Sequence, residues 1–195
     1  QRDVKAYLVG GCVRDLVLGR PMKDLDVTVV GDSLSLSQEF AAQTGQVYFP
    51  LDVKRNIARI VLSEEDTDLT IDVASMAGSN IRDDLGLRDF TINSLAVLVD
   101  DDLLESIFKG ESSQKLMLLP RIIDPFGGIY DIDNCIIRAT SDRIFENDPV
   151  RLLRSVRIAS ELGFLLECET KDLAYRCAPF IDKGSAERIR DELLK

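Results

Sequence analysis

The most consequential absence in this 195-residue sequence is histidine, which does not occur at all. Without histidine the chain cannot build a Ser-His-Asp or Cys-His nucleophilic site. Zinc sites that use histidine ligands are excluded for the same reason. A catalytic site in this chain must therefore be built from carboxylates, arginines, glycines and backbone groups.

Cysteine is scarce, and its spacing does not indicate a metal site. The four cysteines, at positions 12, 135, 168 and 177, form no CxxC pair, the spacing typical of zinc and redox sites. Long apolar runs are also absent: none reaches the roughly 18 residues of a membrane span, and no segment resembles a signal peptide. We therefore expect buried free thiols in a reducing compartment, the cytoplasm, and no membrane partner.

The charge of the chain is strongly negative but unevenly distributed. The net charge is −10, which taken as a whole argues against a nucleic-acid binder. Residues 1–139 carry 14 basic and 23 acidic residues, whereas residues 140–195 carry 10 and 11. An acidic front region is compatible with a metal site, although an ordinary solvated surface explains most of these charges.

The length of the chain fits one large domain, or one domain followed by the start of another. The first residue is Gln1, and the last ten residues, AERIRDELLK, still show a helical pattern. We therefore expect the chain to be a piece of a longer protein.

The first hundred residues alternate short apolar runs with helical patterns. The runs that predict strands are β-branched and bounded by turn residues; they cover residues 7–9, 26–31, 58–63 and 69–74. Helices are predicted over residues 12–18 and 34–44, ended by Gly19 and Gly45. Together these elements predict an α+β fold with a small mixed sheet.

The remaining segments give weaker or different patterns. Residues 88–99 predict a helix, or a helix running into a strand, and residues 100–114 predict mostly loop with a short amphipathic piece. Residues 122–132 predict a loop, because they contain a proline and a Gly-Gly pair.

After about Thr140 the pattern becomes helical throughout. Asp148 and the proline that follows it predict the start of a helix that ends at Gly163. Further helices are predicted near Glu169 and Ser185. We therefore expect an all-helical region over residues 140–195.

Two aspartates one residue apart open a predicted strand. Because residues i and i+2 of a strand point to the same face, Asp24 and Asp26 are expected to aim two carboxylates at one point. Asp72 lies in another predicted strand and adds a third carboxylate if the two strands are neighbours. Carboxylates combined with substrate phosphates are the ligands that Mg²⁺ prefers, and two such ions stabilise an in-line phosphoryl displacement. Taken alone, a DxD pair is more often a solvated strand end.

A Gly-Gly pair stands between the first predicted strand and the first predicted helix. Gly10 and Gly11 allow the backbone to turn tightly and to approach a ligand closely, and the helix start that follows offers backbone N–H groups to a phosphate. No GK[ST] sequence follows, so the segment is not a P-loop. Most isolated Gly-Gly pairs are simple turns.

The order of four motifs gives the sequence a family resemblance. The motifs are GGCVRDLVLGRPMKDLDVTVVG, RDFTINSLA, IDPFGGIYDI and DPVRLLRSVRIASELGF. They resemble the signature segments of tRNA nucleotidyltransferases, the CCA-adding enzymes, and of their bacterial poly(A) polymerase relatives. The resemblance implies a nucleotidyltransferase head of the DNA polymerase beta type over residues 1–139, followed by the start of a helical neck over residues 140–195, with body and tail domains absent.

For the head, the resemblance implies catalytic and phosphate-binding roles. Asp24 and Asp26 would be the metal-binding catalytic pair, with Asp72 as a third catalytic carboxylate and Mg²⁺ as the cofactor. The Gly10-Gly11 turn and Arg14 would contact the incoming nucleoside triphosphate.

For the remaining site residues, the resemblance implies recognition of the sugar, phosphates and base. Arg88 and Asn93 would help to hold the phosphates and sugar. Asp148 and Arg151 would present hydrogen-bonding groups to the base, with Arg154 close by. A carboxylate and a guanidinium together offer acceptors and fixed donors, which suits an amino-bearing base such as C or A.

Three departures from the family pattern concern nucleotide choice. The first position of the Glu-Asp-x-x-Arg motif is Asn147, the RDFT segment is preceded by Leu87 rather than by a second arginine, and the stretch between Asp72 and Arg88 is short. The resemblance therefore leaves open whether C, A or both are added.

The function that the resemblance implies is transfer of C, A or both from CTP and ATP to the 3′ end of tRNA, with tRNA contacted mainly by the absent domains. A poly(A) polymerase that extends RNA 3′ ends is the alternative within the same class. A non-catalytic nucleotide- or RNA-binding descendant and a purely structural α/β domain are alternatives from other classes. The oligomeric state does not follow from the sequence.

Overall fold

The structure is a computed structural model that describes residues 4–22, 24–64, 67–103 and 119–194. The chain divides into two compact units, the first made of residues 1–85 and 95–123 and the second of residues 86–94 and 124–195. These two units do not test the boundary between a head and a neck after residue 139, which stays a prediction.

The first unit contains a mixed sheet, as the sequence predicts. Within the described residues it has seven strands in the order β3-β4-β5-β2-β1-β6-β7. The parallel pair is β2 with β5, and the other neighbouring pairs are antiparallel. The strands are β1 (Ala6–Val9), β2 (Asp24–Val29), β3 (Val47–Asp52), β4 (Ile57–Glu64), β5 (Thr67–Ser75), β6 (Ala96–Leu98) and β7 (Ile122–Ile123).

The helices of this first part of the chain begin and end where local chemistry directs them. They are α1 (Gly11–Leu18), α2 (Ser33–Thr44) and α3 (Ile81–Gly86), and a 3₁₀ helix covers Leu119–Arg121. Asp32 caps α2 by accepting a hydrogen bond from the backbone N–H of Leu34. Gly19 and Gly45 adopt the left-handed conformation, with φ of 66° and 72°, and end α1 and α2 as predicted.

The two faces of the sheet differ in what they carry. Val29, Ile60 and Val73 form a buried apolar cluster, against which Leu36 of α2 packs. Residues of β2, β4 and β5 that alternate with this cluster point to the opposite face. That opposite face carries the polar residues discussed below.

The second unit is mainly helical. Its elements are a 3₁₀ helix (Thr91–Asn93), α4 (Gly128–Asp133), α5 (Ile144–Asn147), α6 (Arg151–Leu162), α7 (Cys168–Cys177), a 3₁₀ helix (Ala178–Lys183) and α8 (Ala186–Leu193). The buried rings of Phe90 and Phe145 lie 6.4 Å apart, centroid to centroid. Gly163, with φ of 69°, ends α6 as predicted.

Several sequence predictions are corrected here. The region after residue 140 is not all-helical, because β9 (Leu165–Leu166) pairs in parallel with β8 (Ile136–Ile137). Residues 122–132 are not a continuous loop, since they contain β7 and most of α4. The helix predicted to start at Asp148 begins at Arg151, with Val150 at the N-cap position. Part of the predicted loop over 100–114 lies outside the described residues.

The DPFGG segment contains turn residues, which predict a loop, but a contact of its aspartate allows a helix to form. The carboxylate of Asp124 accepts hydrogen bonds from the backbone N–H groups of Gly128 (2.7 Å) and Ile129 (2.9 Å). These N–H groups belong to the first turn of α4 and have no partner within the helix. Gly127 supplies the left-handed turn, with φ of 76°. Asp124 thus anchors a short helix whose sequence alone is dominated by turn residues.

Candidate functional site

The carboxylates predicted for catalysis share one face of the sheet in the first unit. Asp24 and Asp26 alternate along β2, and in the parallel pairing of β2 with β5 Asp26 lies opposite Asp72. The condition under which the sequence predicted a third carboxylate, that the two strands are neighbours, is therefore met. Asp24 lies opposite Thr70, whose hydroxyl donates a hydrogen bond to the Asp24 carboxylate.

Asp72 has a strong partner on the next strand. Arg59 of β4 donates from Nε and from one terminal nitrogen to the two oxygens of Asp72, each at 2.7 Å. The hydrogen bond to Asp72 raises the pKa of Arg59, against the effect of burial, and the charges of Asp24 and Asp26 raise it further. This bidentate pair holds both oxygens of Asp72.

The donor set on this face fits a metal ion held by two carboxylates. Within the described ranges, no group of three or more His, Cys, Asp or Glu residues is placed to hold a metal. Mg²⁺ is usually bound through one or two carboxylates, with water and substrate phosphates completing the shell. Asp24 and Asp26 supply such a pair, and Asp72 is committed to Arg59.

The Gly-Gly turn leads directly into α1. Gly10 has φ of 77° and ψ of −142° and occupies the N-cap position, a conformation that favours glycine. A Cβ atom at Gly11 would lie 3.4 Å from the guanidinium of Arg14. Arg14 donates to the Asp15 carboxylate at 3.0 and 3.1 Å. Three of the predicted triphosphate contacts, Gly10, Gly11 and Arg14, thus lie together at the start of α1, and Asp15 holds the Arg14 side chain.

Cys12 lies in this region and was given no role in the predicted site. It is buried, as the sequence predicts for all four cysteines, but this prediction is wrong for Cys135 and Cys168, which are exposed. The Sγ atom of Cys12 donates to the backbone oxygen of Val9 at 2.9 Å and lies 3.7 Å from the backbone oxygen of Asp26. Burial, together with the nearby Asp26 charge, raises the pKa of the thiol to about 12. The side chain is therefore a neutral packing group that ties α1 to β2.

In the second unit, a buried aspartate links two of the predicted nucleotide-binding residues. Asp89 is 5% exposed; its Oδ1 accepts a hydrogen bond from Asn93 at 3.1 Å, and its Oδ2 accepts one from Arg154 at 3.2 Å. Asp89 was not predicted as a site residue, although it lies inside the quoted RDFTINSLA motif. The backbone oxygen of Arg88, the preceding residue, accepts a hydrogen bond from the Thr140 hydroxyl.

The predicted base-reading pair lies at the start of α6. Arg151 Nε is 3.8 Å from the Asp148 carboxylate, and a terminal nitrogen of Arg151 donates to the backbone oxygen of Leu87 at 2.9 Å. Burial raises the pKa of Asp148, but Arg188 and Arg151 more than offset this effect, so the pKa lies below its ordinary value. Burial lowers the pKa of Arg151, and the charges of Asp89 and Asp148 oppose this effect. Arg188 and Arg151 thus favour the charged, hydrogen-bond-accepting form of Asp148.

Arg154 is held from two sides. Its Nε donates to Glu192 of α8 at 3.0 Å, and Arg157 donates to the other oxygen of Glu192 at 2.7 Å. Burial acts to lower the pKa of Arg154, but the carboxylates of Asp89 and Glu192 outweigh it and raise the pKa. These contacts fix Arg154 in one orientation at the surface of α6.

Comparison with known proteins decides the family. A family model described as "Poly A polymerase head domain" matches residues 6–138. The chain belongs to the poly A polymerase head domain family. The resemblance drawn from the four motifs is therefore confirmed.

Individual proteins similar to this chain show how far the similarity extends in sequence and in structure. A CC-adding tRNA nucleotidyltransferase of Geobacter sulfurreducens is 40% identical over 191 residues, which are 97% of this chain and 40% of that protein. A solved structure of a CCA-adding enzyme with ATP is 29% identical with a TM-score of 0.78, and the match covers 98% of this chain and 42% of that one. A tRNA-processing enzyme with CTP is 29% identical with a TM-score of 0.77, covering 97% and 48%. The chain thus spans less than half the length of these proteins.

In the part of the chain that the structure describes, no helix has both the length and the apolar character needed to cross a bilayer.

Proposed function

We propose that this chain is the head and the beginning of the neck of a template-independent RNA nucleotidyltransferase. The full protein would add C, A or both from CTP and ATP to the 3′ end of tRNA. The observation that carries the proposal is the placement of Asp24 and Asp26 on one face of β2, opposite Asp72 of β5, in a chain that belongs to the poly A polymerase head domain family. Relatives named as CC-adding and A-adding tRNA nucleotidyltransferases support the substrate class.

In the proposed reaction, the 3′-hydroxyl oxygen of the RNA forms a bond to the α-phosphorus of the nucleoside triphosphate, and pyrophosphate leaves. Mg²⁺ ions held by Asp24 and Asp26 would supply positive charge for the attacking and leaving oxygens. The backbone of the Gly10-Gly11 turn and the side chain of Arg14 bind the triphosphate, since a helix N-terminus and a guanidinium both attract phosphate.

Arg59 has a supporting role in this proposal. By engaging both oxygens of Asp72, it keeps that carboxylate in one orientation beside Asp26. Asp72 then contributes a fixed negative charge to the face, and its remaining lone pairs accept a hydrogen bond from the 3′-hydroxyl of the primer, whose proton leaves as the oxygen bonds to phosphorus. Its donor, Arg59, is 38% exposed and is balanced by the carboxylates around it.

Base selection is assigned to residues of the second unit. Asp148 accepts a hydrogen bond from the exocyclic amino group of C or A, and Arg151 donates to a ring nitrogen or carbonyl of the same base. Uracil and guanine do not present an amino group and acceptors in that arrangement. Arg88 and Asn93 help to hold the sugar and phosphates, and Arg154 lies close to the base-reading pair; Asn93 and Arg154 are both joined to Asp89.

The domain organisation belongs to the same proposal. Residues 1–139 would be the head, which is supported by the family match to residues 6–138, and residues 140–195 would begin the neck. The cysteines of the described residues are free thiols, which fits an enzyme of the reducing cytoplasm.

The test is single-nucleotide extension by the full-length protein. A tRNA transcript lacking its 3′ CCA is incubated with Mg²⁺ and each of CTP, ATP, UTP and GTP in turn. We expect addition of one to three residues from CTP, ATP or their mixture. Long ATP-only products on unrelated RNA would identify a poly(A) polymerase instead, and no metal-dependent addition from any triphosphate would overturn the proposal.

A further inference from the structure

The edge strand of the sheet exposes a row of apolar side chains. Within the described residues β3 pairs only with β4, and three of its apolar residues are about half exposed. They are Val47 (51%), Phe49 (43%) and Leu51 (49%), here called the β3 strip. Scattered apolar residues are ordinary at a surface, but a contiguous group indicates a binding site.

Val47 and Phe49 of the β3 strip share a sheet face with the catalytic carboxylates, and the pairing register shifts beyond them, between Pro50 and Asp52. Phe49 lies opposite Arg59 in the pairing of β3 with β4, and Arg59 lies opposite Asp72 in the pairing of β4 with β5. Asp72 in turn lies opposite Asp26. Residues paired in this way point to the same face, and three strand spacings put β3 roughly 14 Å from β2.

The turn that follows the strip is basic, in contrast to the acidic chain. Residues 47–61 contain three basic residues and one acidic residue, a net charge of +2, whereas the chain carries −10. Lys54 and Arg55 are exposed in the turn between β3 and β4. The Asp52 carboxylate accepts hydrogen bonds from both of their backbone N–H groups, at 3.0 and 3.1 Å, which fixes the turn.

An exposed aromatic ring with lysine and arginine side chains nearby is a combination that binds single-stranded nucleic acid. Bases stack on aromatic side chains whatever their sequence, and Lys or Arg tracks the phosphates. An apolar patch whose surroundings are neutral or of mixed charge would instead favour a protein partner. Here Phe49 lies opposite Arg59, whose charge is paired with Asp72, and the exposed Lys54 and Arg55 follow it in the turn after β3.

We propose that the β3 strip binds the 3′-terminal nucleotides of the RNA primer. A base near the 3′ end stacks on Phe49, and the backbone phosphates contact Lys54 and Arg55. The strand then runs along the row of paired residues towards Asp72 and Asp26. This inference rests on the proposed function, because it assigns the acceptor strand of that reaction.

The experiment measures steady-state extension by the full-length protein with a Phe49→Ala variant. The chain offers a matched control in Phe40→Ala, since Phe40 is 44% exposed and lies on α2. With tRNA lacking its 3′ CCA as the primer, we expect Phe49→Ala to raise the KM for RNA about tenfold, the size of one lost base–aromatic stack. The KM for CTP should stay unchanged, Phe49→Tyr should restore primer binding, and Phe40→Ala should match the wild type.

The outcomes separate this inference from the function on which it rests. If the wild type adds no nucleotide, the proposed function fails. If the wild type is active and Phe49→Ala has a normal KM for RNA, the inference fails alone. A Phe49→Ala variant that changes the oligomeric mass, but not the KM for RNA, would show that a second copy of the chain covers the strip and would also overturn the inference.

Discussion

Arg188 donates hydrogen bonds to both carboxylate oxygens of Asp148, from one terminal nitrogen to Oδ1 at 3.1 Å and from the other to Oδ2 at 2.6 Å. Oδ1 also accepts the backbone N–H of Val150 at 3.3 Å. A carboxylate has about four acceptor positions, so Oδ2 retains capacity for another donor. Asp148 is thus held in one orientation by α8 while it can still accept a hydrogen bond from a base.

The first prediction is that Arg188 positions the base-reading carboxylate. Arg188→Ala should lower the discrimination of CTP and ATP against UTP and GTP by about tenfold, since it removes two charge-assisted hydrogen bonds that orient Asp148. The measurement is kcat/KM for each of the four triphosphates. Arg190→Ala is the matched control, because Arg190 lies on the same helix, is 65% exposed and pairs with its neighbour Asp191. Equal selectivity in both variants would remove Arg188 from this role.

The second prediction concerns the donor half of the base reader. Arg151→Ala should blunt the same discrimination while leaving Asp148 in place, because Arg188 holds that carboxylate independently. The loss should be about 1–3 kcal/mol in relative transition-state binding, the range of one bidentate base contact. Initial rates with all four triphosphates report it. If selectivity is unchanged in Arg151→Ala, base reading is done elsewhere.

The third prediction is a dependence of folding stability on Glu192 and pH. Burial raises the pKa of Glu192, but Arg157 and Arg154 outweigh it and hold the pKa below its ordinary value of 4.5. A lowered folded-state pKa contributes stability above the unfolded pKa, and this contribution is lost as the pH falls through the folded pKa. Stability should therefore decline as the pH is lowered from about 4.5.

Urea unfolding of variants tests this prediction. Glu192→Gln should lose about 2 kcal/mol of unfolding free energy at pH 7, because two arginines lose their buried charged partner. It should also show a weaker decline below pH 4.5 than the wild type. Glu187→Gln, an exposed change on the same helix, should keep the wild-type profile. Identical acid profiles for Glu192→Gln and the wild type would contradict the assigned pairing.

The fourth prediction is an order of thiol reactivity. Cys135 and Cys168 are exposed, whereas Cys12 is buried with a pKa raised to about 12. Since the thiolate is the reactive form, a maleimide or disulfide reagent at pH 8 should modify the exposed pair first. Mass spectrometry of peptides after timed labelling gives the order. Rapid modification of Cys12 in the folded protein would show that α1 does not cover β2 as described.

Local signals in the sequence predicted much of the first unit. Short β-branched runs located β1, β2, β4 and β5, and Gly19 and Gly45 located the ends of two helices. The spacing of Asp24 and Asp26 was sufficient to place them on one face, because side-chain alternation is a property of any strand.

Other features depend on contacts that are distant in sequence and leave no local signal. The bonds of Asp89 to Arg154 and of Asp148 to Arg188 join residues 65 and 40 positions apart. The edge strand β3 was missed because its apolar residues face outwards and it contains Pro50, and the two-residue strands β8 and β9 are too short for any periodicity to show.

The most direct test of the account is the effect of Asp26→Ala on the full-length protein. Transfer from CTP or ATP to tRNA lacking its 3′ end should fall by about three orders of magnitude, since the carboxylate acts mainly on the charge that develops during transfer. Binding of CTP, measured by calorimetry, should weaken far less, and the exposed control Asp142→Ala should behave as the wild type. An Asp26→Ala variant with near-normal turnover would contradict the assignment of β2 as the catalytic strand.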